Sequence, residues 1–260
     1  MKADVKRDNE GNQTVYIYND EGEVISEQVT RVNPVSDIPV LDKKDKIIQI
    51  QNSLFYLPNY DECFLQKCIY NANDYFGKKE LIAMGSYMNE DSFVIDIGAN
   101  IGNHTLYFAN ECHVRKIYAF EPVPYTYEVL VKNIEINRLE NKVSTFCMGM
   151  SDSVTDAVIK IYDLKNIGGT RLKPAETGGI KLVTLDSLNI DEKIDFIKID
   201  VETMDREVLH GSKETIIKYK PVVCVESFDS EYKETKAFLE SLGYKLEHEL
   251  PCCEYIFIPV

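Results

Sequence analysis

Residues 93 to 102 read Phe-Val-Ile-Asp-Ile-Gly-Ala-Asn-Ile-Gly, and they restrict the fold more than any other stretch of the chain. An apolar run carrying one acid, Asp96, leads into a turn bracketed by Gly98 and Gly102, and helical character follows from Asn103 to Ala109. A buried parallel strand that passes through a Gly-rich turn into a helix builds a cradle for a small ligand. Glycines bring the backbone close to that ligand and supply turn geometry that a Cβ forbids. A dinucleotide site uses G-x-G-x-x-G, so that pyrophosphate rests on helix N–H groups. Here Asn100 stands at the second glycine of that pattern. A turn with a carboxylate beside it suits a ligand bearing an ammonium group, such as S-adenosylmethionine, better than a pyrophosphate.

Two further strand patterns end in acids. Residues 117 to 122 read Ile-Tyr-Ala-Phe-Glu-Pro, which places Glu121 just before Pro122. An acid about 20 residues beyond the Gly turn is placed to accept hydrogen bonds from the hydroxyls of a bound ribose. Residues 194 to 202 read Ile-Asp-Phe-Ile-Lys-Ile-Asp-Val-Glu and end in Asp200 and Glu202. In a doubly wound sheet, ligands gather outside the carboxyl ends of the strands. Asp96, Glu121 and Asp200 are therefore expected to aim at one crevice.

The remaining pattern predicts an α/β domain over 92–260. Strands are expected at 93–97, 116–120, 143–148, 194–199, 221–226, 245–250 and 255–260, with 158–162 as an accessory edge strand or flap. Helices are expected at 103–110, 124–138, 205–218 and 231–242, the last closed by Gly243. The final two strands are too close in sequence to be parallel, so the doubly wound sheet ends in an antiparallel hairpin. Residues 1–91 read as a small β/α extension. It holds a hairpin over 14–29 turning at Asn19-Asp20-Glu21-Gly22 and a linker at 31–45 with Pro34 and Pro39. A second hairpin over 46–57 turns at Asn52-Ser53, and two helical stretches follow over 61–88.

These blocks resemble the FkbM-type S-adenosylmethionine-dependent methyltransferases. The likeness spans residues 92 to 228 and rests on VIDIGANIGNHTLYFA, YAFEPVPYTYEVLVKNIEIN, MSD, VTLDSL, IDFIKIDVE and EVLHG in that order. It implies a class I methyltransferase (Rossmann-like) fold and methyl transfer, commonly to oxygen, with sugars and secondary metabolites as frequent acceptors. The cofactor is then expected against Asp96, Gly98, Ala99, Asn100, Gly102, Asn103, Glu121, Pro122, Ser151, Asp152 and Asp200. Asp152 follows the third strand, where an acid can accept from the adenine amino group. One departure stands out. The family often carries D-V-E-G-x-E where this chain has Asp200-Val201-Glu202-Thr203-Met204-Asp205.

Taking a proton from an acceptor hydroxyl needs a base. Asp200 is the first candidate, with Glu202 and Glu226 behind it, and His104 follows the Gly turn. The Gly-rich segment around Asn166 and Arg171, with Lys173 nearby, is a candidate loop over the acceptor and fits a phosphate if that acceptor is a nucleotide-linked sugar. Two other readings stay open: a nucleotide-dependent oxidoreductase, and a non-catalytic cofactor-binding member of the fold. A formal net charge of −14 argues against a nucleic-acid partner. The seven cysteines show neither zinc-ligand spacing nor a disulfide framework, so no metal site is predicted and reduced thiols in a cytoplasm fit best; a magnesium ion on the acid cluster stays open as an alternative that nothing in the sequence requires. No window is apolar enough to span a membrane, and the polar N-terminus has no signal-peptide core. The extension is expected to shape the acceptor site or an interface in a homo-oligomer.

Overall fold

A computed structural model of the chain describes residues 2–7, 13–18, 24–30, 46–163 and 165–260. The first three of these segments are strands β1 (Lys2–Arg7), β2 (Gln13–Tyr18) and β3 (Val24–Thr30), which form an antiparallel sheet in that order. The hairpin expected over 14–29 is present, and β1 adds a strand that the sequence pattern did not reveal. The turn at residues 19–22 and the linker at 31–45 lie outside the described residues.

Strands β4 (Ile47–Ile50) and β5 (Ser53–Tyr56) pair antiparallel, with Ile50 opposite Ser53. The turn is therefore Gln51-Asn52, one residue earlier than expected, and Gln51 takes up the positive φ of 50°. Helices α1 (Phe64–Ala72) and α2 (Lys78–Gly85) follow. The hairpin is stitched to α4 (Pro124–Ile136) through asparagine side chains. Asn133 Oδ1 accepts from the Tyr56 N–H at 2.6 Å, and Asn137 Oδ1 accepts from the Leu54 N–H at 2.8 Å.

The central sheet is built from β6 (Phe93–Ile97), β7 (Lys116–Phe120), β8 (Val143–Phe146), β13 (Phe196–Ile199), β14 (Val222–Glu226), β15 (Tyr244–Leu250) and β16 (Glu254–Pro259). Its order is β15-β16-β14-β13-β6-β7-β8, parallel from β14 to β8 and antiparallel where β16 meets β14 and β15. This is the class I methyltransferase arrangement that the resemblance implies. Alternation along each strand fills both faces. Val94, Ala119 and Phe196 pack with Leu106 and Phe108 of α3 (Asn103–Asn110) and Leu130 of α4. Ile95, Ile197 and Val223 pack on the other face. Their partners there are Val208 of α5 (Asp205–His210), Ile216 of α6 (Lys213–Tyr219) and Leu239 of α7 (Asp229–Ser241). The first face also takes Ile50, Phe55, Ile69 and Met84 from the hairpin and the first two helices, so residues 46–91 share its hydrophobic cluster.

Two local expectations are corrected. The helix expected over 205–218 is two, because Gly211 and Ser212 separate α5 from α6. The strand expected at 143–148 stops at Phe146, and a two-residue strand β9 (Gly149–Met150) joins a different sheet. That second sheet has the order β11-β10-β12-β9, with β10 (Thr155–Ile161), β11 (Arg171–Ala175) and β12 (Ile180–Val183). Its strand β10 is the accessory strand expected near 158–162, while β11 and β12 had no strand signature.

Candidate functional site

The chain leaves β6 toward β7 on one side and returns through β13 toward β14 on the other. A crevice opens where strand order reverses in this way, outside the carboxyl ends of the strands. A cavity of about 300 Å³ lies there, bordered by Gly98 and Ala99 after β6, Glu121 after β7, Asp200 after β13 and Glu226 at the end of β14.

The Gly turn is shaped by crowding. Gly98 has φ of 80°, and a Cβ there would fall 1.8 Å from the Asp200 carbonyl oxygen. Only glycine lets β6 and β13 close to this distance. Asn100 also has a positive φ, of 50°, and its N–H donates to Glu121 Oε2 at 2.9 Å. Glu121 Oε1 accepts from the Val123 N–H, also at 2.9 Å. Each carboxylate oxygen has further acceptor capacity. Burial pushes the Glu121 carboxyl up to about 7, against the pull of the Val123 and Asn100 N–H groups.

Beneath the turn lies a residue that the sequence pattern gave no reason to single out. Lys198 sits in the middle of β13, in register with Asp96 on β6, and is 2% exposed. Its Nζ donates to the Gly98 carbonyl at 2.9 Å and lies 3.3 Å from Asp96 Oδ1 and 3.1 Å from Asp200 Oδ2. Burial opposes the charge on Lys198, but Asp200 and Asp96 outweigh it and hold the ammonium protonated well above its usual range. Asp96 is 0% exposed and also accepts from the Thr105 hydroxyl at 2.6 Å. It supports the turn through Lys198 and does not border the cavity, contrary to the expectation that it meets a ligand's ammonium.

Three acids bordering the cavity form a cluster. Asp200, Glu202 and Glu226 each offer a carboxylate oxygen within 4.8 Å of the others. Burial raises the Asp200 carboxyl, but Lys198, followed by smaller contributions from its other neighbours, brings it below the ordinary range. Burial and then the charge of Asp200 push Glu226 up to about 9. Burial and then Asp200 also raise Glu202, whose Oε2 is 4.0 Å from Arg171 Nε. Glu254, on β16, borders the same cavity and is pushed up to about 8 by burial and then by Asp200. His104 borders the cavity as a neutral imidazole. Burial and then Lys198 lower it to about 4, so it is unprotonated at neutral pH.

Other expected residues divide. Asn103, Pro122 and Asn166 border the cavity, whereas Gly102 and Arg171 do not. Gly102 has φ of 92° and shapes the helix entry. The Asn166–Gly169 segment closes over the turn: a Cβ on Gly168 would meet Asn100 Nδ2 at 2.7 Å. Ser151 and Asp152 are set apart from the cavity. The Ser151 N–H is tied to the Val183 carbonyl, and Gly211 packs against the Ser151 carbonyl so closely that a Cβ would sit 2.0 Å away. The chain is thereby turned toward α5, and Asp152 borders a separate surface depression with Arg206 and His210. The expected contact between Asp152 and an adenine amino group is not supported by this geometry. The extension, by contrast, reaches the cavity through Phe64, Leu65, Phe76 and Glu80.

Thr203, which replaces the family's glycine, keeps a left-handed backbone with φ of 79°, beside Glu202 at 51°. A β-branched residue is strained in that region. Relief of that strain, less the entropy that glycine loses on folding, predicts that Thr203→Gly stabilises by about 1 kcal/mol. The melting midpoint should rise by roughly 2–4 °C. An unchanged or lower midpoint would show that the turn does not strain Thr203.

Among known proteins, a family model described as Methyltransferase FkbM domain matches residues 96–246. Methyltransferase sdnD of Sordaria araneosa is 25% identical over 229 residues, covering 73% of this chain and 82% of that protein. Hexuronic acid methyltransferase AglP of Haloferax volcanii is 27% identical over 147 residues, or 55% of this chain and 59% of that one. The solved methyltransferase FkbM from Methylobacillus flagellatus KT matches 66% of this chain with a TM-score of 0.49 and 17% identity; this chain spans 44% of its length.

Proposed function

The chain belongs to the FkbM methyltransferase family, and from that premise we propose that it is an S-adenosylmethionine-dependent O-methyltransferase. The proposed acceptor is a hydroxyl of a sugar, a nucleotide-linked sugar, or a glycan or secondary-metabolite precursor. One observation carries the cofactor half of this reading. Glu121 is fixed by two backbone N–H groups at the mouth of β7 and still has acceptor capacity toward the cavity. A ribose diol is the group such a carboxylate holds.

Bound S-adenosylmethionine would supply a methyl group on a positively charged sulfur. The chain's own residues then have three tasks. Gly98, Ala99 and Asn100 would receive the cofactor on close backbone, with Glu121 on the ribose. Asp200, beside them, would orient the acceptor hydroxyl and take its proton, a role typically worth about 10²–10⁴-fold. Phe64, Leu65 and Phe76 would form the apolar wall against which the acceptor lies and help to exclude water. The acceptor class draws support from the hexuronic acid methyltransferase among the relatives. It also fits a cavity lined by both acids and aromatic rings.

Glu121→Ala is expected to weaken S-adenosylhomocysteine binding by roughly 10- to 100-fold, the usual worth of charge-assisted hydrogen bonds. It should raise the cofactor KM and leave kcat nearly unchanged, because ribose contacts do not change in the transition state. Calorimetry with S-adenosylhomocysteine and steady-state assays check this. A large fall in kcat at unchanged affinity would refute the assignment. A mass-detected methyl-transfer screen over nucleotide sugars and glycan precursors tests the acceptor.

A further inference from the structure

We propose that Asp200, Glu202 and Glu226 bind one divalent cation of the hard, oxygen-seeking class, magnesium or manganese(II). The three carboxylates come from the ends of two adjacent strands, β13 and β14, and each brings an oxygen within 4.8 Å of the others. A second, independent observation lies on the next strand. Glu254 is directly opposite Glu226 in the antiparallel pairing of β14 and β16. Residues paired in this way stand on the same face of the sheet, and like charges there repel. Glu254 is 8% exposed, borders the same cavity, and its Oε2 has no hydrogen-bond partner. Oε2 of Glu226 has none either.

A buried carboxylate oxygen without a donor is costly. Two such oxygens, of Glu226 and Glu254, border this cavity beside the carboxylates of Asp200 and Glu202. Among the described residues the nearby cations are Lys198, shared between Asp200 and Asp96, and Arg171, 4.0 Å from Glu202. A divalent ion meets the deficit at the place where the acids converge. The donors are all carboxylate oxygens, with no imidazole or thiolate in the group. Such a set selects magnesium, manganese or calcium over zinc. Oxygens on one magnesium at about 2.0–2.1 Å are about 2.9 Å apart when adjacent and about 4.2 Å when opposite, so the three carboxylates draw together when they close on the ion. Positions left open would take water or acceptor oxygens. The ion's role rests on the methyl-transfer reading: it would hold the acceptor hydroxyl and favour its deprotonated form. Its binding does not depend on that reading.

The experiment titrates the intact protein with manganese(II) alone and follows free ion by electron paramagnetic resonance. S-adenosylhomocysteine binding is measured on the same samples. One ion per chain is expected, displaced by excess magnesium. Glu226→Gln and Glu202→Gln should each weaken it at least tenfold, while Asp152→Asn, away from the cavity, should leave it unchanged. Glu202 lies nearer solvent, so its variant serves if Glu226→Gln fails to fold. No saturable uptake by the wild-type chain, or equal uptake by both glutamine variants, overturns the proposal. If S-adenosylhomocysteine binds without manganese uptake, the cation site falls and the methyltransferase reading stands; uptake without S-adenosylhomocysteine binding gives the reverse.

Discussion

Replacing Asp200 with asparagine is expected to lower kcat by about 10²-fold or more, the lower part of the usual range for a positioned base, while S-adenosylhomocysteine still binds. Asp200 borders the cavity at the carboxyl end of β13, where strand order reverses. Lys198 holds it as a carboxylate, whereas without a bound cation burial and the neighbouring Asp200 charge keep a proton on Glu226 at neutral pH. Of these two, Asp200 is therefore the one with no proton to begin with, and it is free to accept one. Asparagine keeps the shape and one acceptor atom but removes the charge. Glu202→Gln and Glu226→Gln are the comparisons on the same assay. Should Glu226→Gln abolish turnover while Asp200→Asn remains near normal, Asp200 is not the base, and the methyltransferase reading stands. A loss of cofactor affinity alone in Asp200→Asn would assign it to holding the cofactor.

Lys198→Met is expected to cost about 3–5 kcal/mol of stability, the range for removing one partner of a buried ion pair. Methionine matches the length of the stem, so packing changes little. What is lost is the ammonium between Asp96 and Asp200 and its bond to the Gly98 carbonyl. Asp96, at 0% exposure, is then left as an uncompensated charge. At roughly 2–4 °C per kcal/mol, the melting midpoint should fall by roughly 6–20 °C. The double variant Asp96→Asn, Lys198→Met should regain a large part of the loss, because it removes both charges; such coupling is the signature of a contacting pair. A single variant that melts like the wild type would show that Lys198 does not neutralise Asp96.

The elements that read clearly in the sequence are those whose periodicity and punctuation agree. Strands β6, β7 and β13 are short apolar runs, the Gly98 turn announces a helix, and Gly243, with φ of 82°, stands where a helix end was expected. The acids that close these strands were visible for the same reason. What escaped depends on lateral neighbours. Lys198 interrupts an apolar run, and only the register of β13 against β6 shows that it faces Asp96. Glu254 reads as an ordinary polar residue until β16 folds back and sets it beside Glu226. Asp152 was assigned by its place after a strand, but Gly211 and Val183 turn that segment away. The apolar wall of Phe64 and Phe76 comes from a part of the chain with no motif. Strand β11, with Pro174 within it, has no alternation to mark it, and its partner β10 does the pairing.

The left-handed backbone of Thr203 has a consequence for how this chain can change. Natural sequences sit just above a stability threshold, and most new substitutions destabilise. A position that carries strain in a turn bordering the site is a reserve. Glycine there releases about 1 kcal/mol, enough to offset a typical surface or pocket substitution elsewhere. A chain bearing Thr203→Gly is thus the more permissive starting point for altering acceptor preference, since variants at Phe64 or Phe76 that would fall below the threshold in the present background would remain folded.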